Sequence, residues 1–225
     1  AFTATGAELL AQSVTSNPFR PVYGWGELPD GREWGATSSV EIAADGNIWV
    51  AERCGANTCV GSDVDPVLLF DKEGNLLRSF GAGLIAWPHG IDVDHEGNVW
   101  IADARGADGR GHQVHKFSAD GELLMTLGEK DNPSPAMGGE PFNSPTHLAE
   151  DPRNGDLYVS DGYSNARVHK FSPDGKLLLS WGESGTAPGQ FNIVHNIAVD
   201  GDGWVYIADR ENRRIQVFDS RGKYE

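Results

Sequence analysis

Gly97-Asn-Val-Trp-Ile-Ala-Asp103 recurs in three further versions: Gly46-Asn-Ile-Trp-Val-Ala-Glu52, Gly155-Asp-Leu-Tyr-Val-Ser-Asp161 and Gly203-Trp-Val-Tyr-Ile-Ala-Asp209. The spacing is about 50 residues, in the range of propeller blades. Before each copy runs an alternating segment, such as Gly90-Ile-Asp-Val-Asp94 or Asn196-Ile-Ala-Val-Asp200. Alternation puts apolar side chains on one face of a strand. Asp45-Gly46 and Glu96-Gly97 supply the turn between the two strands, so each pair reads as a hairpin. A third strand follows, then another turn and a fourth strand. Val114 to Phe117, Asp120-Gly121 and Glu122 to Gly128 show the scheme, and Val168 to Gly182 repeats it. Four antiparallel strands make one blade, and blades must stack around an axis to bury both faces.

The expected fold is therefore all-β, a single β-propeller domain spanning residues 1–225. Residues 1–21 read as an N-terminal extension and residues 38–225 as four blades. Val22-Tyr-Gly-Trp-Gly-Glu27 resembles Leu179-Ser-Trp-Gly-Glu183, a fourth strand, and is expected to close the ring as an outer strand. At the other end Arg214 to Phe218 is a third strand, and the sequence stops at Glu225 as a fourth begins. A six-bladed ring at this period takes about 300 residues. The expectation is a six-bladed propeller whose C-terminal blades lie beyond these residues, in a remaining C-terminal segment. A four-bladed ring is the rival.

Glycine (29 residues), proline (12) and tryptophan (7) suit a turn-rich β protein. A formal charge of −15 repels phosphate backbones and argues against nucleic acid as a partner. No apolar run approaches the ~20 residues of a membrane-spanning helix. Cys54 and Cys59 form a CxxxxC pair with no second pair to make a metal site. Closing as a disulfide, they fit an oxidising compartment; free thiols are the alternative. The chain begins at Ala1, as a mature secreted chain or a trimmed one would. The expected location is secreted or periplasmic.

Residues common to all copies serve the blade, so residues that differ at equivalent positions are the functional candidates. One such position opens the innermost strand and holds Ser38, His89, Thr146 and His195. Two histidines there converge on a metal such as zinc, or they are strand-end histidines bonded to backbone. A second follows the signature strand: Arg53, Ala104, Gly162-Tyr163 and Arg210. Two arginines can clamp a carboxylate. A tyrosine beside a metal or an arginine can act as a general base. Arg210 can instead pair structurally with Asp209 or Glu211. His147 should turn to the opposite side of its strand. His115 and His169, both before Lys-Phe, read as packing residues, and His95 and His112 as solvated loop residues.

At these residues the chain resembles an NHL-repeat propeller and, more narrowly, the peptidyl-α-hydroxyglycine α-amidating lyases, the lyase half of the peptide-amidating enzyme. The resemblance rests on Trp-Pro-His-Gly-Ile (87–91), Ser-Asp-Gly-Tyr-Ser-Asn-Ala-Arg (160–167), Val-His-Asn-Ile-Ala (194–198) and Ala-Asp-Arg-Glu-Asn-Arg-Arg-Ile-Gln (208–216). It implies six blades, an axial zinc held by three histidines and a structural calcium. His89 and His195 match two zinc ligands, Tyr163 the catalytic tyrosine, and Arg53 and Arg210 the substrate arginines. Val40 and Ile91 match residues that give backbone carbonyls to calcium. The third histidine and an aspartate calcium ligand fall beyond Glu225, and Ser164 stands where the family has a cysteine. The implied activity is cleavage of a carbinolamide C–N bond in a carboxylate-bearing small or peptide-like substrate, giving an amide and an α-keto acid. A metal-dependent hydrolase or lactonase and a non-catalytic NHL binding module are the alternatives.

Overall fold

The computed structural model describes residues 18–225; residues 1–17 of the expected extension lie outside them. Four antiparallel sheets follow one another along the chain. Blade 1 holds β1 (Thr37–Ile42), β2 (Ile48–Glu52), β3 (Val67–Phe70) and β4 (Leu76–Phe80). Blade 2 holds β5 (Pro88–Val93), β6 (Val99–Asp103), β7 (Gln113–Phe117) and β8 (Leu123–Leu127). Blade 3 holds β9 (Pro145–Glu150), β10 (Leu157–Asp161), β11 (Arg167–Phe171) and β12 (Leu177–Trp181). A short parallel pair, β13 (Glu183–Ser184) and β14 (Gln190–Phe191), leads into blade 4. That blade holds β15 (Val194–Val199), β16 (Val205–Asp209) and β17 (Arg214–Phe218). The innermost strands β1, β5, β9 and β15 pack in that order around an axis. The fold is all-β and a propeller.

The hairpin turns explain the recurring glycine. Gly97 sits at φ +84°, its N–H donates to the Asp94 carbonyl, and Asn98 N–H donates to Asp94 Oδ1. Gly46 and Gly203 hold the same left-handed conformation in their turns. Such a position follows a type I turn and favours glycine.

The core lies between blades rather than within them. Trp49, Ala51 and Phe80 of blade 1 meet Ile91, Val99 and Ile101 of blade 2. Trp100 and Ala102 of blade 2 meet Leu148, Leu157 and Val159 of blade 3. Tyr158 and Trp181 of blade 3 meet Val205, Ile207 and Phe218 of blade 4. Along each signature strand successive residues thus face opposite neighbours, and so these strands are apolar on both faces.

The last residue of each signature strand is a fully buried acid. Each one ties its strand to the segment that leads into the innermost strand of the same blade. Asp103 accepts the N–H groups of Ala86 and Trp87, Asp161 that of Asn143, and Asp209 that of Asn192. Glu52 accepts that of Gly35. The Glu/Asp of the repeat is a structural clasp that aims the residue positions near the axis.

Residues 22–27 do not form the expected outer strand. A strand needs a ladder partner, and the partner expected for this segment is the last blade of a six-bladed ring, which is not among these residues. Trp25 instead packs on Phe70 and donates its indole N–H to the Lys72 carbonyl, covering one face of blade 1.

Candidate active site

The two divergent positions meet at one end of the axis. His89 opens β5 and His195 opens β15, and their rings lie 4.9 Å apart. Tyr163, on the loop after β10, places its hydroxyl 2.9 Å from His89 Nε2 and 3.0 Å from His195 Nε2. Loop 162–166 reaches that point because Gly162 lies directly against the Val194 carbonyl.

The other ring nitrogens decide what these histidines offer. His89 Nδ1 lies 2.6 Å from the Thr146 carbonyl, which can only accept. Nδ1 therefore carries the proton and Nε2 presents a lone pair to the site. Asn196 Oδ1 does the same for His195, also at 2.6 Å. Burial, with smaller contributions from the neighbouring His195 and Arg53, pushes His89 down to about 4, so its imidazole is neutral at neutral pH. Two lone pairs face one hydroxyl, and that hydroxyl has one proton to give. One nitrogen is left for a cation, as two metal-ligand histidines with hydrogen-bonded far sides would be. Among the described residues, no group of three His, Cys, Asp or Glu side chains is arranged to hold a metal.

Arg53 is 8% exposed and stacks on Trp87 with its guanidinium carbon 3.4 Å from the ring centroid. Its Nε donates to the Pro88 carbonyl and its Nη1 to Asn57 Oδ1. Burial holds its pKa below the ordinary arginine value, partly offset by Tyr163 and reinforced by Arg105. Trp87 in turn packs on His89 and edge-on against Tyr163. Arg210 lies with its guanidinium carbon 5.6 Å from the Tyr163 ring. Its Nε pairs with Glu211 at 2.9 Å in an exposed contact, while the buried Asp209 pairs with Arg214.

Val40 on β1 and Ile91 on β5 lie on adjacent innermost strands. Beside them, burial holds Glu41 above the usual carboxylate range. Burial with Glu41 and Glu150 nearby pushes Asp92 up to about 7.

The remaining histidines stand apart from this cluster. His115 and His169 are fully buried, bonded to Thr126 Oγ1 and Ser180 Oγ. His147 packs against Gly90, and its buried Nδ1 has no hydrogen-bond partner among the described residues. Of the two histidines expected in solvent, His95 is exposed and pairs with Glu150 at 2.8 Å. His112 is half-buried, and its Nδ1 accepts the Ser144 N–H. Trp87 and Arg105, which the repeat comparison did not single out, also belong to the site: Arg105 stacks on Trp87 at 4.2 Å. Cys54 and Cys59 form a disulfide, next to Arg53.

Residues 191–218 match the NHL repeat family. The chain is a β-propeller whose fourth blade carries this repeat. It is 35% identical to mouse NHL repeat-containing protein 3 over 209 residues, 89% of this chain and 56% of that protein. It is also 35% identical to a probable peptidyl-α-hydroxyglycine α-amidating lyase of Caenorhabditis elegans over 156 residues, 68% of this chain and 42% of that one. The propeller thus spans about half the length of these relatives. Its fold is shared with virginiamycin B lyase from Staphylococcus aureus, with a TM-score of 0.60 at 15% identity, covering 84% of this chain and 54% of that one.

Proposed function

We propose that the propeller is a zinc-dependent carbon–nitrogen lyase that cleaves an α-hydroxyglycine-type carbinolamide into an amide and an α-keto acid such as glyoxylate. The observation that carries this reading is the Tyr163 hydroxyl between the two histidine Nε2 atoms, with Arg210 over the Tyr163 ring and Arg53 on Trp87, which packs on His89. Similarity to the amidating lyase supports it. His89 and His195 would hold zinc with a third ligand from outside these residues. Once bound, the metal supplies a Lewis acid for the substrate hydroxyl. Val40 and Ile91 would give carbonyls to a structural calcium.

The chain's own residues do the rest. Arg53 and Arg210 hold the substrate carboxylate by charge-assisted hydrogen bonds and fix the carbinol carbon beside Tyr163. Tyr163, acting as the phenolate, takes the hydroxyl proton and passes it to the departing nitrogen. The O–H pair forms the new C=O bond, the C–N bond breaks, and its electrons go to the amide nitrogen, which takes up a proton. No oxidant or reductant is consumed. The disulfide suits an extracytoplasmic setting. A calcium-dependent lactonase is the weaker reading, because the side chains touching the Tyr163 hydroxyl are imidazoles rather than carboxylates.

Tyr163→Phe tests the proposal. Loss of a general base costs about 10²–10⁴ in kcat. The variant should keep its circular dichroism spectrum and bound zinc while turnover of an N-acyl-α-hydroxyglycine falls by that factor. Retained turnover would remove Tyr163 from the reaction.

A further inference from the structure

Among the described residues, Arg105 is a cation without a counter-ion at the mouth of the site. Among the described residues its side chain makes no ion pair and no hydrogen bond, and rests on the Trp87 ring. It shares that ring with the buried Arg53, so two guanidiniums meet on one tryptophan beside the site. Arg105 lies close enough to Arg53 to lower its pKa, so the two charges repel and a structural role for the pairing is poor. Stacking on tryptophan holds a guanidinium in place without neutralising it.

The loops around the site are uneven. Those leaving the signature strands of blades 1 and 2 run over residues 53–66 and 104–112, whereas blades 3 and 4 use only 162–166 and 210–213. The long loops form one wall of the mouth, and Arg105 stands on it, with Trp87 between it and the His89–Tyr163 centre. One substrate carboxylate occupies Arg53 and Arg210 in the reading above, on which this inference rests. Arg105 remains for a second anion.

We propose that Arg105 is a specificity-determining residue that recognises an anionic group in the acyl portion of the substrate, so that the preferred substrate is an acidic acyl-α-hydroxyglycine. The acyl group would carry its own carboxylate, as a succinyl group does, or as an aspartyl or glutamyl residue does ahead of the hydroxyglycine.

The test compares N-succinyl-α-hydroxyglycine with N-acetyl-α-hydroxyglycine on the zinc-loaded protein. A partly exposed ion pair gives a preference of about fivefold in kcat/KM. That preference should appear in KM, vanish in Arg105→Gln and return in part in Arg105→Lys. An equal fall for both substrates, or an unchanged ratio, overturns the proposal. Calorimetric titration with N-succinylglycine and N-acetylglycine, which lack the hydroxyl, reads the same contact without turnover. Arg105-dependent binding of the succinyl probe without turnover would sink the lyase reading and leave the anion site standing. Turnover with no Arg105-dependent difference in either measurement would do the reverse.

Discussion

A methyl group on Gly162 would sit 1.7 Å from the Val194 carbonyl oxygen, and that contact places Tyr163. The chain there has no room for a side chain, because the blade 3 loop lies directly on the first residue of β15. Gly162→Ala must push the loop away from blade 4 and carry the Tyr163 hydroxyl off the two histidines. Overpacking of this kind costs about 1–3 kcal/mol. The variant should show both a lower urea midpoint and a lower kcat. An unchanged midpoint with full activity would mean that this loop is not docked as described. Tyr163 was legible in the sequence because the four repeats can be laid over one another and the odd residue seen. Trp87 and Arg105 were not. Trp87 matters through the guanidiniums that stack on it, one of them from the loop of the preceding blade, and no local pattern announces a contact between blades.

At the scale of the element, the loop between β2 and β3 does two things. Asn57 gives its carbonyl to the Trp87 indole N–H and its side chain to Arg53. Cys59 N–H and Thr58 Oγ1 both donate to the Ala86 carbonyl, next to the clasp that Asp103 makes. The Cys54–Cys59 bridge therefore holds the loop that joins blade 1 to the segment leading into β5. A disulfide closing so few residues contributes about 2 kcal/mol by the chain-entropy estimate. Cys54→Ser/Cys59→Ser, or wild-type protein in reductant, should unfold at a correspondingly lower denaturant concentration. A midpoint indifferent to both would show that the loop is held by its hydrogen bonds alone. The cysteine spacing made the bond itself readable. Its task was not, because the partners at Ala86 and Trp87 lie in another blade. The outer strand expected at residues 22–27 is a related case: likeness to Leu179–Glu183 reports a preference for extended backbone, while a strand exists only where a neighbour offers a free edge, and the blade it was expected to complete is not among these residues.

For the molecule as a whole, the blade-to-blade core makes a prediction about what lies beside blade 4. The aromatic residue of each signature strand faces the next blade. Trp49 packs toward blade 2, Trp100 toward blade 3 and Tyr158 toward blade 4, where Tyr158 is fully buried. Tyr206 holds the same position in blade 4 and is 38% exposed, with Ile215 and Trp204 also exposed in that blade. On the opposite flank Val40 and Ile42 of β1 are exposed. In a six-bladed ring further blades would cover these surfaces, and under the proposed function the same blades would bring the third zinc ligand. Removal of a buried aromatic costs about 3–5 kcal/mol. Tyr158→Ala should lose that much in the 225-residue chain. Tyr206→Ala, whose ring has no blade against its outer face, should lose under about 1 kcal/mol, within the range of surface substitutions. In a chain extended by the following blades, the Tyr206 cost should climb toward that of Tyr158. A cost for Tyr206→Ala that stays small in the longer chain would mean that no blade packs there, and that the metal site must be completed in some other way.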